Sequence, residues 1–281
     1  MHYFIFAQKD SYITEDSSGR VILYPDSTDR NYGADEIIEL KKEFVNSYST
    51  ASYNVSRMLT QFDYSDVSAS IVDGTITNPK FYLRYYEVEG QSESDKTYSL
   101  SSHLLVGGHV WEEGVGKHFD NPKTTDGVTW AEHDSDSAWY GDGVSYETSS
   151  RHLTRGIQGG GSWMGLVLHL NSATQSFVNQ SGDIEMDITN LVNRHLDGTN
   201  ANNGILTKFS GSYEDDGTPL NLKFFSRNTH TIYAPKLEVR WDDHKPVTGS
   251  NTGSMTPLTM SGEIENHIFI KGLQPTYRES E

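Results

Sequence analysis

Short stretches in which apolar and polar side chains alternate recur from one end of the chain to the other, each bounded by Gly, Asn, Asp or Ser. Alternation with period two puts every second side chain on the same face of an extended chain, so each stretch reads as a strand with one buried and one wet face. The pattern predicts strands at Tyr3–Ala7, Ser11–Ile13, Glu36–Lys42, Ser56–Phe62, Lys80–Tyr86, Tyr98–Val106, Met164–Leu170, Asp183–Asp187, Gly204–Phe209, Leu220–Ser226 and Lys236–Trp241. Eleven short strands in about 240 residues predict an all-β fold, an antiparallel jelly-roll-like β-sandwich.

One segment departs from that period. In 187–196 the apolar residues Ile188, Leu191, Val192 and Leu196 fall at near-helical spacing. They predict one short helix of about two turns across an end of the sandwich, capped by Asp187 or Thr189 and closed by Asp197-Gly198. Between Trp111 and Met164 the chain is Gly- and Asp-rich with little periodicity, the mark of a long functional or self-packed loop. From Asp242 onward the composition becomes that of a flexible linker. The domain reading is therefore a sandwich over 1–242 and a linker with C-terminal extension over 243–281. Within the extension, Ile268, Phe269 and Ile270 read as a strand in need of a partner sheet, and with Leu273 and Tyr277 they are the candidate partner contacts.

Composition supports the all-β reading. The 16 Tyr suit pleated surfaces, and the 25 Gly suit turns. A net charge of −17 and the lack of any Lys/Arg-rich run argue against nucleic acid and against anionic membrane. No window reaches the roughly 18 apolar residues of a membrane span. The run Met1–Phe6 is too short for the core of a secretory signal, so the expectation is a soluble protein folded where it is made. With no Cys, neither disulfides nor thiolate metal sites contribute.

The chemistry-bearing motifs of common enzymes are absent: no His-Glu-x-x-His, no Gly-x-Ser-x-Gly and no phosphate-binding loop. Gly159-Gly160-Gly161 is followed by no helical pattern and reads as a tight bend. His103, His109, His118 and His133 have no ligand-like spacing and read as surface or hydrogen-bonded residues. The acidic stretch His133–Gly143 places Asp134, Asp136 and Asp142 near a sharp turn. A solvated acidic loop is set against a calcium site there, and the EF-hand frame fails because Trp139 occupies its glycine position. Aromatic faces stack on sugar rings, so Trp139, Tyr140 and Trp163, in Gly-rich surroundings, are the glycan-binding candidates. Trp111, Trp130 and Trp241 are assigned to the core.

The order of several motifs resembles the DNRLRE-type domain, a β-sandwich similar to carbohydrate-binding modules. These are Ala7-Gln8-Lys9-Asp10-Ser11-Tyr12-Ile13, Asn31-Tyr32-Gly33-Ala34-Asp35-Glu36, Ser56-Arg57-Met58-Leu59-Thr60-Gln61-Phe62-Asp63, Trp111-Glu112-Glu113, Gly127-Val128-Thr129-Trp130, Asn203-Gly204-Ile205-Leu206 and Lys223-Phe224-Phe225-Ser226-Arg227. A narrower likeness, carried by Gly116-Lys117-His118-Phe119-Asp120-Asn121-Pro122, Thr229-His230-Thr231-Ile232-Tyr233 and Gly272-Leu273-Gln274-Pro275-Thr276-Tyr277, is to virion structural proteins of contractile-tailed bacteriophages. The resemblance implies a non-enzymatic structural or attachment component on the surface of a virion, made in the host cytoplasm. Its implied partners are other virion proteins or further copies in a symmetric assembly, with no cofactor beyond the calcium alternative. Two other readings stay open: a glycan-binding module for a host surface polysaccharide, and a polysaccharide lyase or hydrolase. The latter needs an acid and a base at defined geometry, which the sequence does not single out.

Overall fold

The computed structural model describes residues 1–15, 29–47, 50–88, 95–106, 108–140, 146–149, 159–164, 172–214 and 218–242. Among them are thirteen strands: β1 (His2–Phe6), β2 (Lys9–Thr14), β3 (Ile37–Ser47), β4 (Thr50–Gln61), β5 (Lys80–Tyr85), β6 (Thr97–Leu104), β7 (Tyr146–Ser149), β8 (Gly159–Met164), β9 (Ser172–Val178), β10 (Ile184–Asp187), β11 (Ile205–Phe209), β12 (Leu220–Phe225) and β13 (Lys236–Arg240). All named pairings are antiparallel. One sheet has the order β1-β13-β5-β10. The larger runs β12-β3-β4-β11-β6-β9, with β2 also on β4, and β7 and β8 form a ribbon. The long strand β4 joins the parts of the larger sheet, pairing with β3 over 50–55, with β2 over 56–61 and with β11 over 58–60.

The fold is the expected all-β sandwich. Its main core lies between the two sheets, where Phe81, Leu83, Tyr85, Met186, Leu237 and Val239 of the smaller sheet meet Leu40, Met58, Leu100, Phe177, Leu222 and Phe224 of the larger. Full burial of each such side chain contributes about 1.5–3 kcal/mol, which is why the inward positions alternate so strictly.

Two expectations need correction, the number of helices and the cap of the expected one. There are two short helices, not one: α1 (Ser65–Val72) accompanies α2 (Thr189–Leu196). Both close the same core, α1 through Val67 and α2 through Leu191 and Val192, and Tyr64 stacks on His195 at 5.6 Å. The α2 cap position is Ile188, with no side-chain cap bond. Asp187 instead accepts from the Thr189 N–H, and the Thr189 hydroxyl accepts from the Phe81 N–H on β5. The strand expected at 164–170 falls mostly outside the described residues, whereas Gly159–Met164 and Ser172–Val178 are strands the pattern did not flag. The glycine run does bend, but inside β8: Ser149 pairs with Gly159 and Thr148 with Ser162, so the register breaks at Gly160 and Gly161, both at positive φ, and an added Cβ on Gly160 would come within 2.6 Å of Arg57 Nη1 and 2.7 Å of Trp130.

The larger sheet is buried on both faces. Its outer face carries a second core of Ile13, Val55, Leu59, Leu105, Trp111, Val128, Trp130, Trp139, Trp163 and Leu206. Most of its cover comes from the aperiodic segment 108–140, fastened by Asn31. The fully buried Asn31 amide donates to Glu113 O and Val128 O, and its Oδ1 accepts from the Gly33 and Gly116 N–H groups, all at 2.8–3.0 Å. Glycine is required at Gly116, where a Cβ would lie 2.4 Å from the Asn31 carbonyl oxygen.

Candidate functional site

Arg57, on the outer face of β4, is buried between Trp130 and Trp163, 5.0 and 4.8 Å from their ring centres. It pairs with both oxygens of Glu214 (2.9 and 3.1 Å) and donates to Gly160 O, and Lys208 reaches the same carboxylate at 3.1 Å. Burial alone would raise the Glu214 pKa, but these two cations hold it down at about 2. His103, next to the cluster, is held neutral down to about pH 3 by its burial and by Lys208 and Arg57. This cluster is enclosed and locks strands to cover.

Of the glycan candidates, Trp139 is a correction. It is 1% exposed, donates from Nε1 to Thr129 O, and packs edge-on against His109 and His133. Trp163 is a second correction: it is 5% exposed, with Arg57 over its ring. Both rings cover the outer face of the large sheet, which needs bulky apolar surface, and so neither face is open to a sugar. Tyr140 is exposed, with its ring against His109 at 4.1 Å.

The Asp134 carboxylate accepts from the Asp136 N–H and lies 3.5 Å from His133 Nδ1. Asp142 lies outside the described residues, and among those described no three metal-ligating side chains converge. His103 and His133 are buried and hydrogen-bonded, to Ser101 Oγ and Val110 O, while His109 is buried with neither ring nitrogen bonded; burial, then the neighbouring His133, lowers the His109 pKa to about 4. The partner candidates Ile268, Phe269, Ile270, Leu273 and Tyr277 also lie outside the described residues.

Among the described residues the fold opens a groove of about 470 Å³ lined by Tyr12, Asp35, Glu36, Ile37, Glu39, Val88, Lys117, His118, Phe119 and Lys223. One wall is the start of β3; the other is the turn 117–120, pulled inward by hydrogen bonds. Arg30 donates to Lys117 O, His118 O and Asp120 O, while the Asp120 carboxylate accepts from the Lys117 N–H and the Thr124 hydroxyl. The His118 N–H reaches the Asp35 carboxylate, which also accepts from Tyr12 OH at 3.1 Å. Burial raises the Asp35 pKa, opposed by these two donors. An aromatic stack runs out of the groove: Tyr12 on Tyr32 (4.3 Å), Tyr32 near His118 (6.2 Å), and Phe119 edge-on to His118 (4.8 Å). Phe119, at the rim, is 91% exposed.

Three carboxylates, two ammonium groups and an exposed ring at one cleft offer acceptors and donors for hydroxyls together with a flat apolar face, the combination that holds a sugar. The sequence signal was a bare Phe in a Gly-, Asn- and Pro-bounded loop, which is hard to justify for packing alone. No protein-family model matches the chain, and no curated protein matches it.

Proposed function

We propose that the chain is a non-enzymatic structural and attachment component of a bacteriophage virion, whose sandwich holds a host surface glycan in the 117–119 groove. The virion assignment rests on the motif order in the sequence. The attachment role rests on one observation: Phe119 stands almost fully exposed beside Asp35, Glu36, Glu39, Lys117 and Lys223. In this reading a sugar ring lies on Phe119 and its hydroxyls bridge the acids and the lysines. The opposite charges nearly balance, so a neutral, hydroxyl-rich face fits better than a polyanion.

A glycan array followed by titration with host-envelope polysaccharide tests this. Stacking of this kind contributes about 0.5–1.5 kcal/mol beyond burial, so Phe119→Ala should weaken binding about tenfold while the melting temperature holds. Saturable binding that ignores Phe119→Ala would move the site elsewhere, with exposed Tyr140 the next position to test. No binding across the array would refute the attachment role, and release of reducing ends would refute the non-enzymatic one.

A further inference from the structure

Asp10, on β2, sits where the large sheet, the cover segment and the turn 226–229 meet. It is 1% exposed, and its Oδ1 has no hydrogen-bond partner. The other oxygen, Oδ2, accepts from the Arg227 N–H at 2.8 Å. From the cover segment, Glu113 accepts from the Asp10 N–H at 2.9 Å and takes the Arg227 guanidinium on its second oxygen. Asp10 pairs in register with Thr60 of β4, whose hydroxyl meets that of Tyr85 from β5. The charges that act on Asp10 are thus those of Glu113 and Arg227, with the Tyr85 phenol near enough to respond to it. Lys9, on the same strand, points to the other face of the sheet, over Trp111.

The turn that carries Arg227 also props one wall of the groove. Ser226 donates from its N–H to Glu36 O (3.0 Å) and from its hydroxyl to Asp35 O (2.6 Å), and the Asn228 side-chain amide donates to Gly33 O (2.9 Å). Asp35 and Glu36 line the groove. Of the elements round Asp10, β2 and β4 share a continuous ladder and the cover is fastened by Asn31. The turn is held less firmly, with Arg227 exposed and Asn228 and Thr229 half-buried. It is therefore the part that lifts most easily to let water reach Oδ1.

We infer that Asp10 is a proton-operated latch of the groove: neutral, it lets the turn 226–229 close on 33–36, and ionised, it draws in water and lifts the turn from Gly33, Asp35 and Glu36. A buried carboxyl group can leave one oxygen bare while it holds a proton. A carboxylate in the same place lacks a donor for that oxygen and faces Glu113 of like charge, and the Arg227 N–H and guanidinium only partly offset this. With the turn closed, burial keeps the acid neutral up to about pH 7, whereas in water it ionises near its ordinary 3.8. Below about pH 4 both arrangements are neutral and the turn stays shut. Between about pH 4 and 7 lifting releases a proton, so it gains up to about tenfold per pH unit; above that both arrangements are ionised and the gain stops. The groove wall is thus firmest in mild acid and slackens toward neutral pH, whatever the groove binds.

Amide hydrogen exchange of the full chain, followed by NMR between about pH 5 and 8 and corrected for intrinsic rates, is the test. The opening constant at Ser226 and Arg227 should rise about hundredfold from about pH 5 to 7 and level off above, and in Asp10→Asn it should be flat. Lifting a turn exposes little surface, so exchange at these two amides should ignore urea well below the unfolding midpoint. Exchange at Leu83, paired on both sides in the middle of β5, should instead follow urea as whole-chain unfolding does. An opening constant at Ser226 and Arg227 that is the same at about pH 5 and 7 overturns the inference. So does a pH profile that persists in Asp10→Asn, or exchange at 226–227 that matches Leu83 in both size and urea dependence.

Discussion

Removing the Asn31 side chain is the sharpest test of how the aperiodic segment is held. Asn31→Ala deletes two bonds donated to Glu113 O and Val128 O and two accepted from the Gly33 and Gly116 N–H groups. The site is fully buried, so all four backbone groups lose their partner away from water. At about 1 kcal/mol net per bond, with some relief from a water entering the vacated space, the cost is about 3–5 kcal/mol. Asn31→Asp separates geometry from volume. It keeps an acceptor for the two N–H groups but turns an oxygen toward two carbonyl oxygens, so it should cost at least as much as alanine at neutral pH. Urea unfolding followed by tryptophan fluorescence suits the purpose, because Trp111, Trp130 and Trp139 belong to the segment that Asn31 ties down and are buried in the second core. A loss below about 1 kcal/mol for Asn31→Ala, or an Asn31→Asp variant as stable as the parent, would refute the reasoning.

Two further predictions concern buried charge. Burial, reinforced by nearby Glu113 and only partly opposed by the Arg227 N–H, raises the Asp10 pKa from 3.8 to about 7, and its Oδ1 has no hydrogen-bond partner. Its folded pKa exceeds its unfolded one, so its stabilising share is complete below about pH 4 and is lost as pH rises through 7. Relative to Asp10→Asn, the parent should lose up to about 4 kcal/mol between about pH 4 and 8, and parallel urea midpoints for the two across that range would contradict the assignment. Arg57→Met leaves Glu214 with Lys208 as its remaining cation and Gly160 O without the guanidinium. It should cost about 3–5 kcal/mol in urea unfolding, and the double variant with Glu214→Met, which also takes the carboxylate from Lys208, should cost more than Arg57→Met alone but less than the sum of the two single losses; additive losses would show that the pair is not coupled.

The strands were legible because one face of each is truly apolar. In β12 every second residue, Leu220, Leu222 and Phe224, points into the core, and the sequence alone marks them. β9 escaped because Phe177 is its one fully buried residue. α1 escaped because only Val67 and Ile71 of its eight residues meet the core, while Val72 points to solvent, too little for a periodic signal. Harder to read was the outer face of the large sheet. Arg57 and Lys208 look like solvent-facing positions of half-buried strands, yet both are buried, Arg57 between Trp130 and Trp163 and Lys208 against Trp163. A cover supplied by a segment about 50–100 residues away in sequence leaves no periodic trace in the strands it covers.

That cover also decides which residues are free to bind. Four of the five tryptophans are spent on the second core, so the residue type most suggestive of sugar binding is the least able to perform it here. What remains exposed is what the same segment displays at its rim. Asn31 bonds Gly33 and Gly116, two residues from Asp35 on one groove wall and two from His118 on the other, so fold and groove share one fastening. A ligand that bridges those walls binds only while the fastening holds, and by linkage it raises the unfolding free energy by RT ln(1 + [L]/Kd), about 2.7 kcal/mol at a hundredfold excess over Kd. Loosening the tie with Asn31→Ala should therefore weaken glycan binding as well as stability. Phe119→Ala, which touches only the rim, should weaken binding alone.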